Sequence, residues 1–298
     1  MQADKDALLF IGTGIMGAPM ARNLAKAGFK LTAWNRSPDK ARAIVSDMIA
    51  CTEDLANLRK AKRNVIIMLS TGTVVDEILF GCDGGGGIAQ QLEPGSLVIV
   101  MSSIPVETAR AQSEKLAAIG VSYIDAPVSG GERGAIAGTL TIMAGGEIED
   151  IERARPLFEA MGRVTRVGPA GTGQLAKLAN QTIVGITIGA VAEALLLAEA
   201  GGADISAVRE ALTGGFADST ILRQHGQRMA EDRFEPGAHA HVQLKDLSTA
   251  AALAEKFGLD SPLTNLTKEL YTEMCEGKAR DLDHSALYLH LKKRKNAK

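Results

Sequence analysis

LLFIGTGIMGAPMARNLAKAG, Leu8 to Gly28, is the stretch on which the fold turns. LLFI is a short apolar run of strand type, and Gly12, Gly14 and Gly17 follow it in G-x-G-x-x-G spacing. Met16, Met20 and Leu24 then recur every four residues, the buried stripe of a helix that Gly28 can end. A second strand, LTAW (Leu31 to Trp34), closes about twenty residues after the turn. Glycines crowd many tight turns, so the spacing alone says little. Between a strand and a helix it describes a phosphate cradle. Gly12 allows the tight turn, Gly14 the approach of a pyrophosphate and Gly17 close packing of helix on strand. Gly12, Thr13, Gly14, Ile15, Met16 and Gly17 are therefore the candidate dinucleotide contacts.

The residues after LTAW bear on which dinucleotide. Asn35 stands where a carboxylate would bind both ribose hydroxyls of NAD. A carboxylate there would repel a 2′-phosphate, whereas Asn35 does not, and Arg36 offers that phosphate a charge-assisted partner. Ser37 adds a hydroxyl. The pattern favours NADP, with NAD as the alternative. A solvent-exposed arginine opening the next helix is the plainer reading of Arg36.

Strand and helix patterns alternate outward from this unit. LLFIG, KLTAW, NVIIML, SLVIVM, VSYID and LTIMAG read as strands, several apolar on both faces as buried parallel strands are. Met16–Ala27, Val106–Ile119 and Ile148–Met161 read as helices. This is a doubly wound α/β domain, expected over 1–170. The boundary falls near Gly168–Gly173. From Gly173 onward no strand pattern is found, and glycine and proline punctuate helices, so 171–298 is expected to be all helical. GCDGGGGIA, from Gly81, reads as a surface turn.

With 298 residues, 46% of them hydrophobic, and a formal charge of −2, two folded domains are expected and a nucleic-acid partner is not. The basic tail KKRKNAK from Lys292 reads as a solvated terminus. Three scattered cysteines suit neither a disulfide framework nor a metal knuckle, which points to a reducing cytoplasm. TIVGITIGAVA, from Thr182, falls short of the roughly 18 residues of a membrane span, and no membrane partner is expected.

GTGQLAKLANQTIVG places Lys177, Asn180 and Gln181 on one helical face at the expected domain junction. Lysine in an apolar helix needs water or a partner, and partial burial brings its pKa towards a useful range. Hydride chemistry on a carbonyl needs a proton donor beside the oxygen, which suits Lys177; a surface lysine is the alternative. Ser129, Gly130 and Gly131 follow the strand VSYI, and their N–H groups and hydroxyl could face a carboxylate. Lys245 and Asp246 fall in the opening turn of a later helix, where a surface ion pair is equally at home. His239 and His241 have the spacing of two metal ligands, but no third is evident and no metal is expected. His225 and His290 have no evident partner.

Taken in order, FIGTGIMGAPMARNLAKAG, DAPVSGG, GTGQLAKLANQ, QLKDL and DLDHSAL resemble the β-hydroxyacid dehydrogenase family over almost the whole chain. KLANQ and the Asn-Arg-Ser after the second strand look most like its tartronate semialdehyde reductase branch. The resemblance implies a Rossmann-type domain and then a long helix opening a 6-phosphogluconate dehydrogenase-like helical domain that commonly assembles into dimers or tetramers. It implies Lys177 as general acid/base, Ser129, Gly130, Gly131 and Asn180 as substrate contacts, and Lys245 near both nicotinamide and substrate, supported by Asp246. Met68, Leu69 and the loop from Ser70 would line the nucleotide, with Ser102 on the nicotinamide side. There VMSSIPVET carries Val100 where many members carry Asp and is one residue tighter; EPGAHAHVQLKD also departs from the reductases. The implied activity is NAD(P)H-dependent reduction of a small carboxylate-bearing aldehyde. Related activities on 3-hydroxyisobutyrate, threonate or succinic semialdehyde are alternatives. Imine reduction and a non-catalytic cofactor-binding module are disfavoured because Lys177 is present.

Overall fold

The structure, a computed structural model, describes residues 8–55, 64–82, 86–277 and 279–296. The expectations for the extreme N-terminus, for the middle of the glycine-rich turn (83–85) and for the last two residues of the tail lie outside the described residues. The chain divides into two compact units, Met1–Lys177 and Leu178–Lys298.

In the first unit the elements are β1 (Leu8–Ile11), α1 (Gly17–Lys26), β2 (Leu31–Trp34), α2 (Pro38–Arg42), β3 (Ile49–Cys51), β4 (Asn64–Ile67) and α3 (Gly72–Phe80). They continue as β5 (Leu97–Val100), α4 (Val106–Ala117), β6 (Ser122–Asp125), β7 (Val128–Ser129), α5 (Gly131–Ala137), β8 (Leu140–Gly145), α6 (Ile148–Glu159) and β9 (Gly162–Gly168). Among the described residues the nine strands form one sheet in the order β3-β2-β1-β4-β5-β6-β8-β7, with β9 on the free side of β8. The five strands around β1 run parallel with β6, and Leu8 faces Leu31 on one side and Asn64 on the other. β1 is thus the point at which the strand order reverses, where an open α/β sheet leaves a crevice beyond its strand ends.

The far end of the sheet departs from the parallel expectation. β8 runs antiparallel to β6 and β7. Residues 130–139 join β7 to β8, fewer than the dozen or so a parallel crossover takes. Strands β3 and β7 are too short to leave an apolar run, and β9 is a largely exposed strand carrying Arg163 and Arg166. None of the three shows the buried-strand signature.

Two cores lie on the two faces of the sheet. Phe10, Ile66 and Ile99 pack with Met20 and Leu24 of α1 on one face. Leu9, Ile11, Val65, Ile67 and Val98 pack with Val75 and Leu79 of α3 and Leu116 of α4 on the other. This alternation within one strand is the period of two that buries both faces. Helix α1 stops as its sequence suggests. Gly28 adopts φ 89°, Phe29 N–H returns to Leu24 O at 3.1 Å, and Gly28 N–H to Ala25 O at 3.0 Å.

The second unit begins inside α7 (Thr172–Ala200) and continues with α8 (Ile205–Leu212), α9 (Thr220–Ala230), α10 (Ala240–Lys256), α11 (Pro262–Glu276) and α12 (Leu287–Asn296). Helix α7 has 29 residues, and by length and composition it is long and apolar enough to cross a membrane, which the shorter TIVGITIGAVA run did not suggest. The difference arises because the helix runs on through Asn180 at one end and Glu193 at the other. Its Ile188, Ala192 and Leu195 pack with Leu222, Leu247, Tyr271 and Leu287 in the core of this unit.

A buried polar knot ties the end of the unit together. Asp283 accepts from the N–H groups of Gly237 (2.9 Å), Ala238 (3.2 Å) and Ser285 (3.0 Å) and from Ser285 Oγ (2.6 Å). His225 lies 3.5 Å from Asp283 through Nδ1 and 3.2 Å from His284 Nε2 through its own Nε2. Burial alone would raise the Asp283 pKa, but His225 and Ser285 hold it well below the carboxylate range. Burial, with His225 alongside, lowers His284 to about 4. His225 therefore has partners that sequence spacing could not reveal, and so does His290, 3.1 Å from Glu273.

Candidate active site

The glycine turn sits at the reversal point. Gly12 adopts φ 98°, and a Cβ there would fall 2.1 Å from Met68 O; one on Gly17 would fall 1.8 Å from Gly12 O. Both positions are therefore closed to any side chain. A Cβ on Gly14, by contrast, meets nothing within 4 Å, so the turn opens to space there. Helix α1 begins with no side-chain cap and no acidic residue in its first turn, so its positive end is open to an anion, although Ala18 N–H already donates to Gly14 O at 3.0 Å and Pro19 has no N–H. Thr13 Oγ1 is buried without a hydrogen-bond partner among the described residues. An open cradle, an uncapped helix and an orphan hydroxyl fit the pyrophosphate of a dinucleotide. Ile15 projects from the tip, 73% exposed.

Asn35 has a second task that spacing did not show. Its Oδ1 accepts from Thr13 N–H at 3.1 Å and its Nδ2 donates to Ser37 O at 3.1 Å. One neutral amide therefore braces the glycine turn against the loop that bears Arg36 and Ser37. Both of those residues are exposed, and Arg36 has no ion-pair partner among the described residues.

The end of β4 supplies Met68, Leu69 and Ser70, the last exposed. Ser102 is fully buried, and its Oγ accepts from Leu69 N–H at 2.7 Å. Gln174, in the first turn of α7, donates to Ser102 O (2.9 Å) and accepts from Ile104 N–H (3.1 Å). The hydroxyl of Ser102 thus fixes the loop after β4, and Gln174 fixes the loop after β5.

Asp125, at the end of β6, anchors the same helix. Its two oxygens accept from Gly171 N–H (2.7 Å) and Gln174 N–H (2.8 Å). Burial pushes its pKa up to about 7, against the lowering effect of those N–H donors. Cβ atoms on Gly145 or Gly173 would collide with it, so these glycines permit the approach. Asp125 opens DAPVSGG and Gln174 lies in GTGQLAKLANQ, yet sequence reading passed over both. A polar residue between a strand and a glycine loop was the available signal. These anchors also explain why the first turn and a half of α7 belong to the N-terminal unit.

Further along α7, the half-buried Lys177 donates from Nζ to Val128 O at 2.9 Å. Its ammonium is thereby held one residue before Ser129. Gly130 and Gly131 adopt φ 133° and 59°, and a Cβ on Gly131 would meet nothing within 4 Å. An ammonium and an open glycine loop lie side by side.

Within the second unit a polar chain runs from α7 to α10. Asn180 Nδ2 donates to Gln181 Oε1 (2.9 Å), and Gln181 Nε2 donates to Asp246 Oδ2 (2.9 Å). Gln243 Nε2 donates to Gln181 O at 2.9 Å. Asp246 Oδ1 pairs with Lys245 Nζ at 3.2 Å, and Asp246 is buried while Lys245 is exposed. Lys245 and Asp246 lie in the second turn of α10, not the opening one, because the helix starts at Ala240. A buried carboxylate shared by a glutamine and a lysine is not an ordinary surface pair.

Comparisons with known proteins agree with this construction. Residues 7–170 match the family described as the NAD binding domain of 6-phosphogluconate dehydrogenase. Residues 171–291 match the NAD-binding family of NADP-dependent 3-hydroxyisobutyrate dehydrogenase. Fold and matches define an NAD(P)-dependent oxidoreductase. The 2-hydroxy-3-oxopropionate reductase of Escherichia coli K12 is 43% identical over 280 residues, 93% of this chain and 94% of that protein. The NAD-dependent L-serine dehydrogenase of Pseudomonas aeruginosa PAO1 is 33% identical over 272 residues, 89% of this chain and 90% of that one. A 3-hydroxyisobutyrate dehydrogenase of Mycobacterium tuberculosis, solved with L-serine, superposes with a TM-score of 0.86 at 30% identity, covering 96% of this chain and 99% of its own. The chain belongs to the β-hydroxyacid dehydrogenase family, of the 3-hydroxyisobutyrate dehydrogenase type.

Proposed function

We propose that this protein reduces 2-hydroxy-3-oxopropionate, a short carboxylate-bearing aldehyde, to its hydroxy acid with NADPH. The observation that carries the reading is the Lys177 ammonium, 2.9 Å from Val128 O and beside the open Ser129–Gly131 loop. The 43% identity to the E. coli reductase supports the choice of substrate. Ser129, Gly130 and Gly131 receive the carboxylate, which sets the aldehyde oxygen against Lys177. The bound nicotinamide supplies the hydride that the aldehyde carbon accepts. Lys177 gives the proton that turns the oxygen into a hydroxyl, and takes it back in the reverse direction. Val128 O holds the ammonium in place, so little reorganisation accompanies the transfer.

Asn180 and Lys245 are assigned to substrate binding by their match to the family motifs, and Asp246 to holding Lys245. On the cofactor side, Gly12 to Gly17 bind the pyrophosphate, Met68 to Ser70 line the nucleotide and Ser102 shapes that wall. Arg36 and Ser37 take the 2′-phosphate that an acid at position 35 would repel. The working form is a cytoplasmic homodimer or homotetramer.

Steady-state kcat/KM on 2-hydroxy-3-oxopropionate, succinic semialdehyde, 3-hydroxyisobutyrate, threonate and L-serine, with each nucleotide, tests the reading. The first substrate with NADPH or NADP⁺ should lead the panel. Preference for another acid by tenfold or more would reassign the substrate and leave the role of Lys177 standing. Light scattering of the purified chain tests the assembly.

A further inference from the structure

The start of α10 and the loop at 279–283 carry a constellation that the reduction does not use. His239 and His241 stack with ring centroids 5.1 Å apart and planes within 19° of parallel. Asp281 stands beside them, its Oδ1 3.5 Å from His241 Nδ1. One ligating atom from each of the three lies within 4.8 Å of the other two. Sequence spacing left the two histidines without a third ligand. The fold brings one in from some forty residues away, a distance in sequence at which no spacing rule operates.

The backbone beneath these side chains is fixed. Ala240 N–H donates to Leu282 O (2.9 Å), His241 N–H to Arg280 O (3.3 Å) and His284 N–H to Ala238 O (2.9 Å). His239 is extended at φ −65° and ψ 144° where it caps α10. We propose that His239, His241 and Asp281 form a binding site for one divalent first-row transition ion of the zinc class.

Two imidazoles and a carboxylate are a donor set for zinc, with a further position left to water. The ring environment suits that use. His239 Nδ1 lies 2.9 Å from Asp281 O, and His241 Nδ1 lies 3.3 Å from Arg280 O. A neutral imidazole held in this way carries its proton on Nδ1 and presents Nε2 as the basic nitrogen, the outer-sphere arrangement of metal-bound histidine. Tetrahedral zinc sets its donors about 3.4 Å apart, so these three side chains, whose ligand atoms lie within 4.8 Å of one another, would close in on the ion. The positive end of α10 opposes a cation weakly, and the Asp281 carboxylate offsets it. The other imidazole cluster, His225, Asp283 and His284, does not compete, because the N–H and O–H donors of Gly237, Ala238 and Ser285 already occupy both Asp283 oxygens. A bound ion would staple the first turn of α10 to the loop before α12.

The test is titration of the metal-stripped full-length protein with ZnCl₂ by calorimetry at pH 7.5, with Co²⁺ as the visible-absorption probe. One zinc per chain is expected, with a rise in Tm of about 5 °C at a hundredfold excess over Kd. His239→Ala/His241→Ala, and the milder His239→Gln/His241→Gln, should weaken zinc binding at least about tenfold and abolish the cobalt band. Cys51→Ser/Cys82→Ser/Cys275→Ser should bind as the wild type does. The site is refuted if both histidine pairs bind zinc as tightly as the wild type or if binding is lost in the cysteine variant.

Discussion

The two units build their candidate sites from different materials. The N-terminal unit uses backbone: a glycine turn that tolerates no Cβ at Gly12 or Gly17, an uncapped helix, and a second glycine loop beside Lys177. The C-terminal unit uses side chains: Asn180, Gln181, Gln243, Asp246 and Lys245 in one hydrogen-bonded chain. A backbone cradle works or collapses as a whole, whereas a side-chain chain can lose one link and keep the rest. Substitutions in the first unit should therefore act sharply, and those in the second by degrees.

Lys177→Ala should give the largest effect, a fall in kcat of about 10²–10⁴, the range of a general acid, with cofactor affinity within about twofold. Near-normal turnover would remove the lysine from the chemistry. Gly12→Ala should destabilise the first unit by about 3 kcal/mol or more, since the residue holds a positive φ and the new Cβ would meet Met68 O. A folded, cofactor-binding variant in a urea titration would break the contrast at its strongest point. Arg36→Ala should weaken NADPH binding by about 1.5–3 kcal/mol and leave NADH nearly untouched, as fluorescence titration would read. Equal losses for the two nucleotides would return Arg36 to the solvent.

Asp125 sharpens the comparison through pH. Burial raises its pKa from 3.8 to about 7, so the folded chain holds this proton more tightly than the unfolded chain. The resulting stabilisation is fully present below about pH 4 and is lost as pH rises to about 7, at up to about 1.4 kcal/mol per pH unit. Asp125→Asn does not ionise. Urea unfolding at pH 5 and pH 7 should show the wild type losing ground to the variant as pH rises. A constant difference would mean that the N–H donors of Gly171 and Gln174 outweigh burial. Gln181→Ala should have the smallest effect, about 1 kcal/mol of stability, because Lys245 still partners Asp246. A loss as large as that of Gly12→Ala would end the distinction between the units.

The same contrast governs what could be read from the chain. Six strands of the first unit announced themselves by their apolar runs, and the glycine turn because only glycine can occupy Gly12; β3 and β7 were too short to do so. Strand β9 stayed hidden because its exposed arginines give it no apolar signature. In the second unit the helices were legible from their punctuation. Partnerships such as Gln181 with Asp246, His225 with His284, or Asp281 with His241 depend on side chains meeting across tens of residues. Asp125 lay inside a quoted motif, but only its distances to Gly171 and Gln174 show that it anchors the helix of Lys177.

The double hydrogen bond of Asn35 has a consequence for how this protein can change. Its amide accepts from Thr13 N–H and donates to Ser37 O, so the side chain must do both at once. An aspartate, the single-codon route to an NAD-type ribose contact, keeps the first bond and turns a carboxylate oxygen on the Ser37 carbonyl. The loop would then have to refold before the new cofactor gained from the exchange. A change at position 35 alone therefore disturbs the glycine turn and the loop bearing Arg36 and Ser37 together, and no side chain at 37 can relieve it, because the opposing carbonyl belongs to the backbone.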